Sequence, residues 1–191
     1  MDEKAKAKPL CTVDFVGRKT ELALLTELLD DAQSGNPNIA GLGGEPGIGK
    51  TRTALELSTL AESMGFQVIW TYCYEERGSP PHWPWIQALR SYCDANGPDH
   101  MRTLLGSSVP YLSHTIGALQ GADLAPCDSR ISPQVKRFHF FNEYCIFLNR
   151  AARTKPLLII IDDLHRADSS TLHLLEYLPR ELGRSKVMVL C

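Results

Sequence analysis

The stretch Gly44-Glu45-Pro46-Gly47-Ile48-Gly49-Lys50-Thr51 begins with glycine, continues through four further residues, and closes with glycine, lysine and threonine. An apolar run with strand character, residues 39–42, leads into it, and a helix-forming run, residues 53–64, follows it. Because the pattern lies between a strand and a helix, it predicts a phosphate-binding P-loop, which the bare pattern would not do. The alternative is an ordinary glycine-rich turn between two elements.

Each residue type in this stretch suits the binding of a polyphosphate. Glycines let the backbone curl so that successive N–H groups point inward, with no Cβ blocking the approach. The N-terminus of the following helix adds unpaired N–H donors and a favourable dipole. We expect Lys50 to reach the β- and γ-phosphates and the Thr51 hydroxyl to hold Mg²⁺. Pro46 stiffens the loop, which reduces the entropy lost when the loop becomes ordered.

The composition suits one domain, or one large domain with an insert. The chain has 191 residues, of which 43% are hydrophobic and 22% charged, so it can bury a substantial core. A net charge of −2 does not mark a nucleic-acid-binding surface. There are six cysteines and no Cys-x-x-Cys pair, which favours reduced thiols over a zinc site. The start lacks a secretory signal and the longest apolar run is short, so we expect a cytoplasmic protein without membrane contact.

Strand and helix patterns alternate along the chain, which predicts an α/β fold with a parallel sheet. The first strand–helix–strand unit, residues 38–72, implies a right-handed crossover. The predicted strands are residues 38–43, 66–72, 157–161 and 187–190. The predicted helices run from residue 21 to a stop at 35–37, and over 51–63, 85–95, 99–105, 110–119, 133–153 and 169–182. Residues 1–13 are expected to be a disordered leader, and residues 73–132 a mostly helical insert. Because the chain ends inside an apolar strand, at Cys191, we expect it to be a fragment of a longer protein.

Asp162-Asp163 follows the apolar run 157–161, whose lack of alternation predicts a strand covered on both faces. Ligands of open α/β sheets bind outside the carboxyl ends of the strands, where both this pair and the P-loop fall. The pattern therefore predicts a Walker B motif, in which Asp162 holds Mg²⁺ through water and Asp163 orients or deprotonates the attacking water. The alternative is a polar turn with a helix cap. Lys50 and Asp163 are the predicted catalytic residues, and Thr51 and Asp162 the predicted metal ligands.

Several residues near these motifs admit two interpretations. His165 could reach the γ-phosphate region or be a hydrogen-bonded turn residue. Asp168 suits a helix N-cap better than a catalytic role. Trp83 and Trp85 could stack on a base, although tryptophans in such a loop more often anchor an insert to the core. The aromatic residues of the helix predicted over 133–153 are expected in the core, on a face formed by Phe138, Phe141, Tyr144, Cys145 and Leu148.

Val16-Gly17-Arg18, the P-loop stretch and Asp162-Asp163-Leu164-His165 together resemble the AAA-type ATPase domain of the STAND class. That class occurs in large LuxR-type bacterial regulators and related signalling ATPases. Residues 80–85, Pro-Pro-His-Trp-Pro-Trp, and Arg137-Phe138 are similar to this group too. The resemblance covers about residues 14–191.

The resemblance implies a parallel sheet of order 1-4-3-2, with a fifth strand beyond strand 1 missing here. It implies a nucleotide-binding domain over residues 14–191, truncated at its C-terminus before the sensor, helical lid and winged helix. It places Val16, Gly17 and Arg18 near adenine and ribose. Where the family usually has tryptophan, this chain has Arg166, which alters the packing beside the site or adds a cation near phosphate. The full predicted nucleotide-binding set is Val16, Gly17, Arg18, Gly44, Glu45, Pro46, Gly47, Ile48, Gly49, Lys50, Thr51 and Arg52.

The leading functional hypothesis is an ATP-dependent switch within a multidomain signalling or transcription-regulatory protein. Its expected partners are ATP or ADP with Mg²⁺, the C-terminal domains of the same longer chain, and a second copy through nucleotide-dependent self-association. A second hypothesis is a nucleotide-binding interaction module without turnover. A third is a P-loop small-molecule kinase, against which no Arg-rich lid segment is visible. The lack of an Asn-Lys-x-Asp motif favours ATP over GTP. Direct nucleic-acid binding is not expected because no helix has a basic face.

Overall fold

The computed structural model of this chain describes residues 17–74, 80–106, 112 and 132–191. The predicted leader 1–13, the predicted helix 110–119 apart from residue 112, and most of the predicted loop 121–132 lie outside these residues. The described helices are α1 (Lys19–Gln33), α2 (Lys50–Ser63), α3 (Trp83–Asn96), α4 (Pro98–Leu105), α5 (Pro133–Thr154) and α6 (Ser169–Glu181). The described strands are β1 (Asn38–Ala40), β2 (Gln67–Tyr72), β3 (Leu157–Asp162) and β4 (Val187–Leu190).

The four strands form one parallel sheet in the order β1-β4-β3-β2. Ile159 of β3 lies at the centre, level with Ile69 of β2 on one side and Val189 of β4 on the other. The predicted fold class and strand order are therefore confirmed. Because all four strands run the same way, the residues that follow β1, β3 and β4 meet at one edge of the sheet.

Two hydrophobic layers cover the sheet, one on each face. Leu158 and Ile160 of β3 face α1 and α2, where they pack with Leu29 and Leu57. The alternate β3 residues, of which Ile159 is the central one, pack into a second cluster built with α3, α5 and α6. Every residue of 157–161 is buried, so the unbroken apolar run does reflect a strand covered on both faces.

The insert is held to this second layer by a buried tryptophan in α3. Trp85 is fully buried, and its indole N–H donates to the Thr171 carbonyl oxygen of α6 at 3.1 Å. The Tyr144 hydroxyl of α5 donates to the Trp85 carbonyl oxygen, also at 3.1 Å. Trp85 therefore anchors the insert to the core. Trp83 is half-buried, and the Arg90 guanidinium lies over its ring at 5.1 Å from the centroid.

The helix starts follow the local sequence signals. Pro84, Pro98 and Pro133 each lie in the first turn of a helix, where a missing N–H costs nothing. This explains why α3 begins at Trp83, two residues before the predicted start. Asp168 caps α6 as expected, because its carboxylate accepts the Thr171 backbone N–H at 3.0 Å. The described helices include none that combines the length and apolar character needed to cross a membrane.

Two predictions about the elements are wrong. Phe138 is 58% exposed rather than in the core, and Val135, one turn earlier, is 45% exposed. The reason is the length of α5, whose 22 residues extend about 33 Å, so that its first turns project past the layer that covers the sheet. The first strand ends at Ala40 rather than Gly43. One sheet-like bond continues beyond it, from the Leu42 N–H to the Cys191 carbonyl oxygen.

Candidate functional site

The P-loop leaves β1 and turns directly into α2. Gly44, Gly47 and Gly49 all have positive φ, at 144°, 82° and 97°. These conformations are strained for residues with a side chain, so the glycines at these positions are required by the turn itself. A Cβ on Gly44 would also lie 3.1 Å from the Ile48 side chain. The sequence pattern therefore encodes the shape of the loop as well as access for a ligand.

Lys50 folds back across this loop. Its ammonium donates to the carbonyl oxygens of Gly44, at 2.8 Å, and Glu45, at 3.0 Å. The two carbonyl groups belong to the first residues of the P-loop. Both hydrogen bonds therefore hold the Lys50 ammonium on the concave side of that loop. A cation held there is in position to meet a polyphosphate bound by the same loop.

Thr51 and Asp162 meet although they are 111 positions apart. The Thr51 hydroxyl, in the first turn of α2, donates to Asp162 Oδ2 at 3.2 Å. The other carboxylate oxygen of Asp162 accepts the Asp163 backbone N–H at 2.9 Å. Two hydrogen bonds thus orient the Asp162 carboxylate at the tip of β3, beside the start of the P-loop helix.

Asp163 has a left-handed backbone, with φ 56° and ψ 40°. This turn ends β3 and directs the chain into a single 3₁₀ turn, Leu164–Arg166. The Asp163 carboxylate lies 3.9 Å from His165 Nδ1, and Arg166 donates through Nε to His165 Nε2 at 3.3 Å. Because His165 Nε2 accepts a hydrogen bond from Arg166, the ring carries its proton on Nδ1. That nitrogen faces Asp163.

A cleft of about 880 Å³ lies between the P-loop, the tip of β3 and the tip of β4. That volume is within the roughly 300–1,000 Å³ typical of small-molecule sites. The cleft brings together most of the predicted site residues: Gly44, Pro46, Gly47, Gly49, Lys50, Thr51, Arg52, Asp162 and Asp163 line it. His165 lines it too, which leaves its predicted reach toward the γ-phosphate open.

Other predicted residues do not line the cleft. Glu45 and Ile48 belong to the P-loop without lining the cleft. The Glu45 backbone carbonyl accepts a hydrogen bond from Lys50, and the Ile48 side chain is exposed. Gly17 and Arg18 directly precede α1, and the Arg18 carbonyl accepts the Leu22 N–H. Val16 lies outside the described residues. The expected placement of 16–18 near adenine and ribose stays a prediction.

Cys191 and Leu190 also line the cleft, although neither was predicted from the sequence to be a site residue. The signal was present in the expected strand order, which places β4 between β1 and β3 and so brings its end to the site. Burial raises the pKa of the Cys191 thiol to about 11, so this cysteine is a neutral part of the wall at physiological pH.

The donors in the cleft fit a magnesium–nucleotide ligand. Mg²⁺ prefers oxygen ligands and is usually held by one or two protein groups together with phosphate oxygens. Thr51 and Asp162 supply one hydroxyl and one carboxylate oxygen at a single point. Lys50 and the start of α2 supply the positive charge and N–H donors that phosphates require.

The comparisons with known proteins agree with this geometry. A sequence model of the AAA ATPase domain matches residues 14–190, nearly the whole chain. No curated protein matches the chain at a significant level. The chain belongs to the AAA ATPase domain family, and it is an AAA-type P-loop ATPase domain.

Proposed function

We propose that this chain binds ATP with Mg²⁺ in the cleft between the P-loop and the tip of β3, and hydrolyses it. The observation that carries the proposal is the 3.2 Å hydrogen bond from the Thr51 hydroxyl to Asp162. It joins the two motifs at the point where a metal between protein and phosphates needs oxygen ligands. Membership of the AAA ATPase family supports nucleotide as the ligand.

Each residue has a distinct proposed role. The backbone N–H groups of 44–51 hold the phosphates, and Lys50 carries the charge that meets their β- and γ-oxygens. Thr51 and Asp162 hold Mg²⁺, which supplies charge stabilisation for phosphoryl transfer when bound. Asp163 orients or deprotonates the attacking water. Arg52 lines the cleft next to these residues, with its guanidinium paired to Glu56 at 2.6 Å.

The finer part of the proposal concerns the class of ATPase. The resemblance of the Gly17-Arg18 box and of residues 162–165 to STAND ATPases supports an ATP-dependent switch in a multidomain signalling or transcription-regulatory protein. In that role ATP and ADP favour different arrangements of the domain. We also propose that residues 14–191 form one nucleotide-binding domain, with an insert at about residues 73–132.

Partners and location belong to the same proposal. The expected partners are C-terminal domains of a longer chain and a second copy that associates in a nucleotide-dependent way. We propose a cytoplasmic location and no direct binding of nucleic acid or membrane. A net charge of −2 supports the proposed lack of nucleic-acid binding.

Titration of MgATP into the wild type and Lys50→Ala tests the site. Loss of charge-assisted bonds to phosphate lowers the affinity by about tenfold or more. Lys186→Ala is the matched control, because Lys186 is exposed in the loop before β4 and outside the cleft. Equal affinity of the wild type and Lys50→Ala contradicts the P-loop assignment.

Phosphate release separates hydrolysis from the alternative of binding without turnover. One observation favours that alternative. In the described part of the cleft the lysine and arginine side chains are Lys50 and Arg52, and Arg52 pairs with Glu56, which leaves Lys50 to stabilise the charge that develops during phosphoryl transfer. If Asp163 acts on water, Asp163→Asn slows phosphate release by about 10²–10⁴-fold and leaves ATP affinity nearly unchanged. Binding without measurable release by the wild type instead supports the non-hydrolysing module.

A further inference from the structure

A second cavity lies at the start of α5, away from the nucleotide cleft. It is an open depression of about 500 Å³ between the segment that precedes α3 and the first turns of α5 and α6. Pro81, Ile86 and Phe140 give it an apolar wall. None of the residues that line it also lines the P-loop cleft. We call it the α5 cavity.

Positive charge is concentrated at one end of the α5 cavity. Lys136 and Arg137 line it from the first two turns of α5, and Ser170 lines it from the first turn of α6. Neither Lys136 nor Arg137 has an ion pair or side-chain hydrogen bond within the described part of the chain. The N-terminus of α5 adds the positive end of its dipole, whereas the N-terminus of α6 is already capped by the Asp168 carboxylate. The lining includes no acidic side chain among the described residues.

His82 provides an independent sign that a partner is missing. Its ring lines the cavity, is only 8% exposed, and stacks on Phe140 with ring centroids 4.7 Å apart. Its Nδ1 is buried and has no hydrogen-bond partner among the described residues. A buried polar atom without a partner is costly, so native structures retain few of them without a reason.

His82 is a neutral part of the cavity wall. Burial lowers the pKa of His82 and outweighs a hydrogen bond with the Ser170 backbone and the Asp168 charge, which both act to raise it. Arg137 and His173 lower the pKa further by smaller amounts. The ring is therefore neutral at physiological pH and presents one acceptor and one donor nitrogen. Arg137, which can pair with an anion in two parallel hydrogen bonds, lies close to that ring.

We propose that the α5 cavity binds a small organic anion with an apolar, ring-containing body. The carboxylate, sulfonate or phosphate group of that anion lies against Lys136, Arg137 and the N-terminus of α5. Its body lies between Ile86, Pro81 and the His82–Phe140 stack. The site is separate from the nucleotide cleft, and its existence does not depend on the proposed ATPase activity.

Two fluorescent probes that share a body and differ in charge test this site directly. Anilinonaphthalene sulfonate carries the anion, and N-phenylnaphthylamine has the same two ring systems without it. We expect saturable binding of one anilinonaphthalene sulfonate per chain, about tenfold tighter than that of the neutral probe. Saturating MgATP is not expected to displace the bound anion, because the two cavities share no lining residue.

Three variants localise the probe. Arg137→Gln is expected to weaken binding of the anionic probe by about tenfold while leaving the neutral probe unchanged. Gln134→Trp fills the cavity from an exposed position on α5 and is expected to weaken both probes. Arg153→Gln, an exposed arginine in the last turn of the same helix, is the matched control and is expected to change neither.

The thermal unfolding midpoint of each variant shows whether it is folded, and only folded variants are compared. Gln134→Trp and Arg137→Gln change exposed side chains, so at least one of them retains the fold. Three outcomes overturn the proposal. They are non-saturable binding of the anionic probe, equal affinity for both probes, and binding that is unaffected by both Arg137→Gln and Gln134→Trp.

Discussion

Asp168 shows how one side chain links the segment that follows β3 to the insert. It lies five residues after Asp163 and caps α6, accepting the Thr171 N–H at 3.0 Å and the Thr171 hydroxyl at 2.6 Å. Partial burial acts to raise the pKa of Asp168, but these hydrogen bonds, with weaker ones from the backbones of Ser170 and His82, outweigh it and lower the pKa. The ionised form is therefore the one that the fold stabilises.

Asp168→Ala is expected to reduce the free energy of unfolding at pH 7 by about 1–2 kcal/mol, because the cap is lost. A lowered folded-state pKa means that the Asp168 contribution is present above the unfolded value of 3.8 and is lost as the pH falls through the folded pKa. Denaturant unfolding of the wild type and Asp168→Asn tests this, since asparagine can still cap. The wild type should lose more stability than Asp168→Asn on acidification, and parallel pH profiles would contradict the account.

Site residues could be predicted from the sequence where the backbone itself encodes the chemistry. The positive φ of Gly47 and Gly49 and the position of Asp162 at the end of a buried strand are both readable from residue type and order. Phe138 could not be placed, because its exposure depends on how far α5 extends beyond its neighbours. The unpaired His82 Nδ1 likewise depends on packing between three helices that are distant in sequence.

Helix α3 is the element that fixes the insert, and Trp85 is its anchor. Trp85→Ala is expected to lower the free energy of unfolding by about 3–5 kcal/mol, because it opens a cavity in the core and leaves the Thr171 carbonyl without its indole donor. Trp83→Ala is the matched control from the same helix and should cost much less, since Trp83 is only half-buried. Chemical denaturation measures both, and similar losses for the two variants would show that Trp85 is not the anchor.

Element types could be predicted well, and their ends less so. Helix α3 begins two residues before its predicted start, because Pro84 suits the first turn of a helix. Strand β1 is shorter than the apolar run that predicted it. A strand at the edge of the sheet pairs on one side only, here with β4, so its end depends on its neighbour. The apolar pattern 38–43 indicates a strand but cannot specify that neighbour.

The buried cysteines report on the integrity of the whole molecule. Burial raises the pKa of Cys73 and of Cys145 to about 12, and burial also raises the pKa of Cys93. The thiolate is the reactive form, so these three thiols should resist iodoacetamide at pH 8 in the native protein and react once it is denatured. Peptide mass mapping measures this, and rapid native labelling of all three would contradict the packed core described above.

At the level of the whole molecule, the strand order came from the family resemblance, and it correctly brought the ends of β1, β3 and β4 together. Local patterns alone predicted a parallel pair of β1 and β2, and these strands are parallel but lie at opposite ends of the strand order rather than side by side. The α5 cavity was not predicted, because residues 81–86, the start of α5 and the start of α6 converge only in the folded chain.

The central claim is that the P-loop and the tip of β3 form one magnesium–nucleotide site. Its most direct test is ATP affinity, measured by calorimetry with Mg²⁺ and with EDTA, for the wild type and Asp162→Asn. The account predicts that Mg²⁺ tightens ATP binding by the wild type, and that Asp162→Asn removes this gain while still binding metal-free ATP. Full retention of the magnesium effect in Asp162→Asn would contradict the claim.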